Sequence, residues 1–281
     1  STESGGNVWS PPPSEGVGGR HQILLIEDNP DVVTYLRTIL QDSYEISIAY
    51  NGRIGIEKAL ELIPDLIISD VMMPEMDGYQ LLDALKHDDR TSHIPIILLT
   101  AKADASSKIA GLRRGADAYL SKPFQKAELL ATLEMMLENK RRLAAHFSKK
   151  YDFAQHLAKS GDGEKTGLPP DAEAVLVEDA FLQKLRQIVE ANYADEAFAL
   201  PQLCNTLSMS RSQLFRKLKA LTDVSPSDFI RNYRMAQAKL LLETTQLAVK
   251  EVAWQVGFKE LSHFSKTFLE TYGMSPSAVR K

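Results

Sequence analysis

Asp65-Leu66-Ile67-Ile68-Ser69-Asp70 decides the reading of this chain. A short apolar run, partly β-branched and closed by a lone acid, is the pattern of a buried strand that delivers a carboxylate to a sheet edge. Three other runs end in polar groups in the same way. Ile23-Leu24-Leu25-Ile26 stops at Glu27-Asp28, Ile96-Ile97-Leu98-Leu99 stops at Thr100, and Tyr119-Leu120 leads through Ser121 to Lys122-Pro123. Helix-length stretches separate the runs, so the strands are expected to be parallel, with their carboxyl ends on one edge. Open parallel sheets bind their ligands at that edge. Three acids, a hydroxyl and a lysine converge there.

The intervening stretches read as helices. Asn29 is placed to cap a helix opening at Pro30, with Val32, Val33, Leu36, Ile39 and Leu40 at helical spacing. A second strand is expected over 44–49, and further helices over 52–62, about 77–87, 105–114 and from about 125. Five βα units make an α/β doubly wound, five-stranded parallel sheet of the flavodoxin-like kind.

Glu27, Asp28 and Asp70 bring three hard oxygen donors together, a set that suits Mg2+ with its remaining positions left to water and phosphate. Without a cation, three carboxylates so close would raise one another's pKa. With one, Asp70 can act as a nucleophile towards phosphorus, and Lys122 can neutralise developing charge.

Residues 21–140 resemble a response-regulator receiver domain of the CheY-like kind. The matching pieces are Glu27-Asp28, Asp70 followed by Met73-Pro74-Glu75-Met76-Asp77-Gly78, Thr100-Ala101 and Lys122-Pro123. The resemblance implies that Asp70 is the phosphoacceptor and that the Met72 carbonyl completes the metal ligands Glu27, Asp28 and Asp70. It also implies that phosphoryl oxygens meet the Thr100 hydroxyl and the Ala101 amide, and that the Lys122-Pro123 bond is cis. Tyr119 matches the switch aromatic of the family; a strand tyrosine packed on the fourth helix is the other reading. Glu27 departs from the commoner Asp-Asp pair. Haloacid-dehalogenase-like phosphatases also use an aspartate nucleophile, but they carry a second acid two residues on, where this chain has Met72.

At 281 residues the chain suggests two domains. The net charge of −4 hides an asymmetry: residues 21–140 hold 12 Lys/Arg against 19 Asp/Glu, whereas residues 177–281 hold 14 against 11. A mildly basic second half hints at a nucleic-acid partner. Cys204 is the single cysteine and excludes an internal disulfide framework. No apolar stretch approaches membrane-spanning length. Residues 1–20, with Pro11-Pro12-Pro13 and five glycines, read as a flexible tail. The six histidines (21, 87, 93, 146, 156 and 263) are scattered, with no zinc-like spacing and no glycine-rich nucleotide loop, so the phosphoryl donor is expected outside this segment.

Residues 141–176 read as a helical extension and linker. Leu129, Leu133, Met136, Leu143, Phe147 and Tyr151 follow a four-three pattern broken at Lys140, which admits either a short coiled coil or a helix that frays near Asn139. Ser160-Gly161-Asp162-Gly163 and Gly167-Leu168-Pro169-Pro170 end any helix.

From Val177 the periodicity is helical throughout. A helix over about 179–191 precedes Pro201–Leu207, a tight link, and a helix opened by the capping box Ser210-Arg211-Ser212-Gln213. Its apolar Leu214, Phe215, Leu218 and Leu221 are expected inward, and Arg211, Gln213, Arg216, Lys217 and Lys219 outward. A long helix over about 227–243 bridges to a second pair, 249–256 and 260–268. Two helix-turn-helix candidates joined by one helix are thus expected.

Residues 177–281 resemble the AraC/XylS-type DNA-binding domain, on Ser210 to Lys217, Ser225-Pro226-Ser227-Asp228-Phe229-Ile230-Arg231, Val252-Ala253-Trp254-Gln255-Val256-Gly257-Phe258 and Phe264-Ser265-Lys266-Thr267-Phe268. That implies two recognition helices in successive major grooves. Arg211, Ser212, Gln213, Arg216, Lys217 and Lys219 would reach DNA from the first, and Lys259, Glu260, Ser262, His263 and Lys266 from the second. Lys259 stands where the family often has a Ser or Asn cap.

Together these features read as a two-component response regulator. A kinase phosphohistidine phosphorylates Asp70, the receiver pairs with a second copy, and the homodimer binds promoter half-sites. The segment has no membrane contact of its own and is expected in the cytoplasm, or as the cytoplasmic portion of a membrane-anchored hybrid sensor. The Pro/Gly-rich start without methionine resembles the last segment of hybrid sensor kinases; a free-standing regulator is the alternative. A phosphate sink or docking receiver whose helical domain binds protein is the competing function.

Overall fold

The computed structural model describes residues 20–101, 116–151 and 172–279. Its first half is a five-stranded, wholly parallel sheet of order β2-β1-β3-β4-β5, built from β1 (Gln22–Ile26), β2 (Glu45–Ala49), β3 (Leu66–Asp70), β4 (Ile96–Ala101) and β5 (Ala118–Lys122). Helices α1 (Pro30–Leu40), α2 (Gly52–Leu62), α3 (Gly78–Lys86) and α4 (Lys126–Lys150) pack on its two faces. The helix expected over 105–114 lies outside the described residues.

Strand alternation sorts the sheet into two cores. Leu24, Ile26, Ile67, Ile96 and Leu98 join Leu81, Leu82 and Leu85 of α3 on one face. Ile23, Leu25, Leu66, Ile68, Ile97 and Leu99 join Leu36 and Leu40 of α1 and Leu129, Leu133 and Met136 of α4 on the other. With both faces covered, the strands need no polar side, and every residue of β3 is buried.

Two caps fix where helices start. The Asn29 side chain accepts from the Asp31 amide at 2.9 Å, and Asp77 accepts from the Gln80 amide at 2.8 Å while Gln80 reciprocates at 3.0 Å. The turn into α3 comes very close to β3. A Cβ on Gly78 would lie 2.3 Å from the Asp70 carbonyl oxygen and 2.9 Å from the Val71 Cα. Only glycine permits that approach, which clamps the chain immediately after Asp70.

Helix α4 is continuous to Lys150 and does not fray near Asn139. Nor is its apolar stripe an open seam. Leu129, Leu133 and Met136 are spent in the receiver half, whereas Phe147 and Tyr151 enter the core of the helical half, with Leu143 packed against it. The coiled-coil reading is corrected accordingly: two intramolecular cores consume the stripe.

The helical half comprises α5 (Ala172–Asn192), α6 (Leu200–Leu207), α7 (Arg211–Thr222), α8 (Pro226–Thr244), α9 (Val249–Gln255), α10 (Leu261–Tyr272) and a 3-10 turn, Pro276–Ala278. Helix α5 begins seven residues before the expected 179, and Val175 is already part of the core. Helix α8 bridges two clusters. Phe229, Ile230 and Tyr233 face the α5–α7 cluster, whereas Met235, Ala238 and Leu242 face the cluster of α9 and α10. Between α9 and α10, Gly257 adopts φ +77°, and a Cβ there would lie 2.5 Å from the Tyr193 carbonyl oxygen. No helix among the described residues is long and apolar enough to cross a membrane.

Two substitutions test this packing. Phe147→Ala, at a fully buried position, is expected to lose about 3–5 kcal/mol, read by urea unfolding followed through Trp254 fluorescence; an unchanged midpoint would contradict the shared-helix core. Gly78→Ala is expected to lose about 1–3 kcal/mol in the receiver transition followed by circular dichroism.

Candidate functional site

The register of the sheet assembles the site. Asp70 is paired with Leu99, Thr100 with Ser121 and Ala101 with Lys122, so the ends of β3, β4 and β5 lie side by side. Glu27 and Asp28 follow β1 directly. One carboxylate oxygen from each of Glu27, Asp28 and Asp70 falls within 4.8 Å of the other two. Glu27 and Asp70 are buried and Asp28 is exposed, which leaves one open side.

Lys122 holds the acids together. Its Nζ donates to Glu27 Oε2 at 2.7 Å and lies 2.9 Å from Asp70 Oδ1. Burial pushes the Glu27 carboxyl above its ordinary value and Asp70 adds to the effect, while the hydrogen bond from Lys122 opposes it. Burial alone would lower Lys122, but its hydrogen bonds and charge contacts with Glu27 and Asp70 hold the ammonium above its ordinary value. The pocket carries more negative charge than one lysine balances, and this acidic cluster is able to hold a divalent cation. The Thr100 hydroxyl supports the same reading. It is buried and has no hydrogen-bond partner among the described residues, which buried polar groups rarely tolerate unless a ligand completes them.

The other receiver residues lie around this pocket. The Lys122-Pro123 bond is cis. The Met72 side chain is 73% exposed, in the segment after β3. Tyr119 is half-buried and, like Tyr79, packs against the cluster that contains Met73; the segment that would separate its two readings lies outside the described residues.

The residues expected at DNA divide into two groups. Lys259, Glu260, Ser262, His263 and Lys266 are all exposed. Glu260, not Lys259, is the N-cap of α10, and it makes no side-chain cap hydrogen bond. On α7 the capping box forms as expected, with the Gln213 amide donating to Ser210 Oγ at 3.2 Å and the Ser210 amide to Gln213 Oε1 at 2.9 Å. Arg211 is exposed, and Ser212 and Lys219 are half-buried. Lys217 departs from the outward expectation. It is 1% exposed, with Nζ 2.7 Å from Glu178 Oε2 and donating to Ser92 Oγ at 3.0 Å. Gln213 and Arg216 also touch the receiver, through the backbone carbonyls at the end of α2. Ser92 and Glu178 were not singled out in the sequence. Glu178 sits three, four and seven residues before Phe181, Leu182 and Leu185, on the apolar face of α5, and an acid there is the signal of a buried partner.

Residues 23–134 match the family model of the response regulator receiver domain, and residues 203–281 match that of a helix-turn-helix domain. The chain is 38% identical over 255 residues to Histidine kinase P4 of Formosa agariphila, covering 91% of this chain and 18% of that protein. It is 39% identical over 117 residues to Response regulator ArlR of Staphylococcus saprophyticus, covering 41% of this chain and 52% of that protein. Among solved structures, the C-terminal domain of the two-component response regulator yesN from Fusobacterium nucleatum is 32% identical, with a TM-score of 0.35, covering 36% of this chain and 99% of that one. The chain spans less than two thirds of the length of either full-length relative. Its first half is a receiver domain, a family distinct from catalytic enzyme domains in the ordinary sense. Sheet order, pocket and family matches together define the chain as a CheY-like receiver domain fused to a helix-turn-helix domain, the architecture of a two-component response regulator.

Proposed function

We propose that phosphoryl transfer from a kinase phosphohistidine to Asp70 controls dimerisation and sequence-specific DNA binding by this chain. The observation that carries the reading is the meeting of Glu27, Asp28, Asp70, Thr100 and Lys122 at one sheet edge, in a chain that continues into a helix-turn-helix domain. Asp70 attacks phosphorus, the P–N bond to the donor imidazole breaks, and an acyl phosphate forms on the side chain. Lys122 exchanges its contact with Asp70 for a phosphoryl oxygen, and the Thr100 hydroxyl and Ala101 amide donate to the others. Glu27, Asp28, Asp70 and the Met72 carbonyl are the ligands proposed for Mg2+, which when bound supplies charge neutralisation of the transferring group.

In the helical domain, taken as 177–281, we assign AraC/XylS-type binding with two helix-turn-helix units, α6–α7 and α9–α10, bridged by α8. Arg211, Ser212, Gln213, Arg216, Lys217 and Lys219 serve the first. Lys259, Glu260, Ser262, His263 and Lys266 serve the second. The receiver, taken as 21–140, pairs with a second copy on activation. Alignment across both domains with a relative named a histidine kinase, of which the chain covers 18%, supports placing it within a hybrid sensor kinase.

Acetyl phosphate with Mg2+ is expected to yield a singly phosphorylated, hydroxylamine-labile species by intact-mass spectrometry, and Asp70→Asn to yield none. Label persisting in Asp70→Asn would sink the assignment. For DNA, the logarithm of affinity is expected to fall linearly with the logarithm of salt, and Lys266→Ala to reduce that slope by about 1. A salt-independent affinity would favour a protein partner for the helical domain.

A further inference from the structure

The first recognition helix, α7, is not free. Three of the side chains assigned to DNA are engaged by the receiver. Gln213 Nε2 donates to the Leu60 carbonyl at 2.9 Å. The Arg216 guanidinium donates to the Glu61 carbonyl at 3.4 Å and also to that of Leu62. Lys217 Nζ donates to the Asp89 carbonyl and to Ser92 Oγ, and pairs with Glu178. Ser92 Oγ in turn donates to Glu178 Oε1 at 2.6 Å. The triad is sealed: Lys217 is 1%, Glu178 2% and Ser92 8% exposed.

The receiver offers this helix the chemistry that a DNA backbone would offer. The last carbonyls of a helix lack intrahelical partners and carry the negative end of its dipole. Helix α2 has no basic residue in its last turn, and the carbonyls at Leu60, Glu61 and Leu62 receive their donors from α7. An array of oxygen acceptors with partial negative charge is also what phosphates present to Arg, Lys and Gln. A duplex and the receiver therefore compete for the same three side chains, while the exposed contacts of α10 are left untouched.

We propose that the receiver masks the first recognition helix by acting as a surrogate for the DNA backbone, so that the docked chain offers only its second recognition helix and engages a full site after α7 is released. The proposal rests on the DNA-binding reading above. The test uses the full chain. Amine acetylation followed by peptide mass spectrometry reads the docking directly: Lys217 is expected to react far more slowly than Lys259 and Lys266, which are exposed.

Two substitutions outside the DNA-reading set should release it. Ser92→Arg puts bulk and positive charge against Lys217, and Glu178→Gln removes its counter-charge. Both are expected to raise Lys217 acetylation towards that of Lys259, and to tighten binding to random-sequence duplex DNA about tenfold at fixed salt. Beryllofluoride with Mg2+ is expected to move the unaltered chain in the same direction. Rapid acetylation of Lys217 in the unaltered chain would overturn the docking. Variants that release Lys217 yet bind DNA no more tightly would overturn the masking. If every form failed to bind DNA while Lys217 was still released, the DNA-binding reading would fall and the masking with it, leaving only the docked contact.

Discussion

One helix belongs to two cores, and the rest of the arrangement depends on it. Over Lys126–Lys150, α4 gives Leu129, Leu133, Met136 and Leu137 to the sheet and Phe147 to the helical half. Burying a side chain of this size is worth roughly 1.5–3 kcal/mol; four are buried at the N-terminal end, and Phe147 with the adjoining Tyr151 at the other. Neither half can shed the helix cheaply. The two domains thus meet through one shared helix, which brings α7 to the receiver.

Much of the site was legible because its chemistry is local to strand ends. Alternation and run length placed β1, β3, β4 and β5, and parallel strands must put Glu27, Asp28, Asp70, Thr100 and Lys122 on one edge. The caps at Asn29 and Ser210 were legible for a similar reason, since each is set by a few neighbouring residues. What failed was partner choice over long range. The stripe Leu129 to Tyr151 specifies an apolar helix face but not what covers it, and two different cores cover it. Lys217 fits a solvated recognition helix by spacing, and nothing near it in sequence announces Glu178 or the end of α2. The early start of α5 is a milder case, because tertiary packing around Val175 extends a helix beyond its local signals.

Electrostatics at the two sites follow opposite logic. At the pocket, Asp28 is exposed and acid outnumbers base, so the imbalance is suited to an added cation. At the α7 contact, Lys217 is matched with Glu178, Ser92 and a backbone carbonyl in a sealed space, and no further ligand is called for. Taking that pair out of water offsets much of its attraction. Such a contact specifies a geometry more than it stabilises one. Breaking it by removing one partner is costly, but exchanging all of its partners for phosphates is much less so.

That difference determines how α7 can leave the receiver. Between Leu137 and Phe147 no residue of α4 is fully buried. The middle of the helix is held by polar contacts instead: Lys140 pairs with Asp65, and the Arg141 guanidinium lies 3.2 Å from His21 Nε2. Neither contact buries a large apolar side chain, whereas opening either core would expose several. The helical half also keeps its own grip on α4, because Phe147 packs in one cluster with Leu214, Leu218 and Leu221 of α7. Release of α7 therefore proceeds with the C-terminal end of α4 still attached to the helical half. The contacts given up are the carbonyls of α2, Asp89 and Ser92, together with the polar middle of the helix. A hydrated duplex can replace the first set with phosphate oxygens and water can replace the second, so the exchange leaves both apolar cores intact.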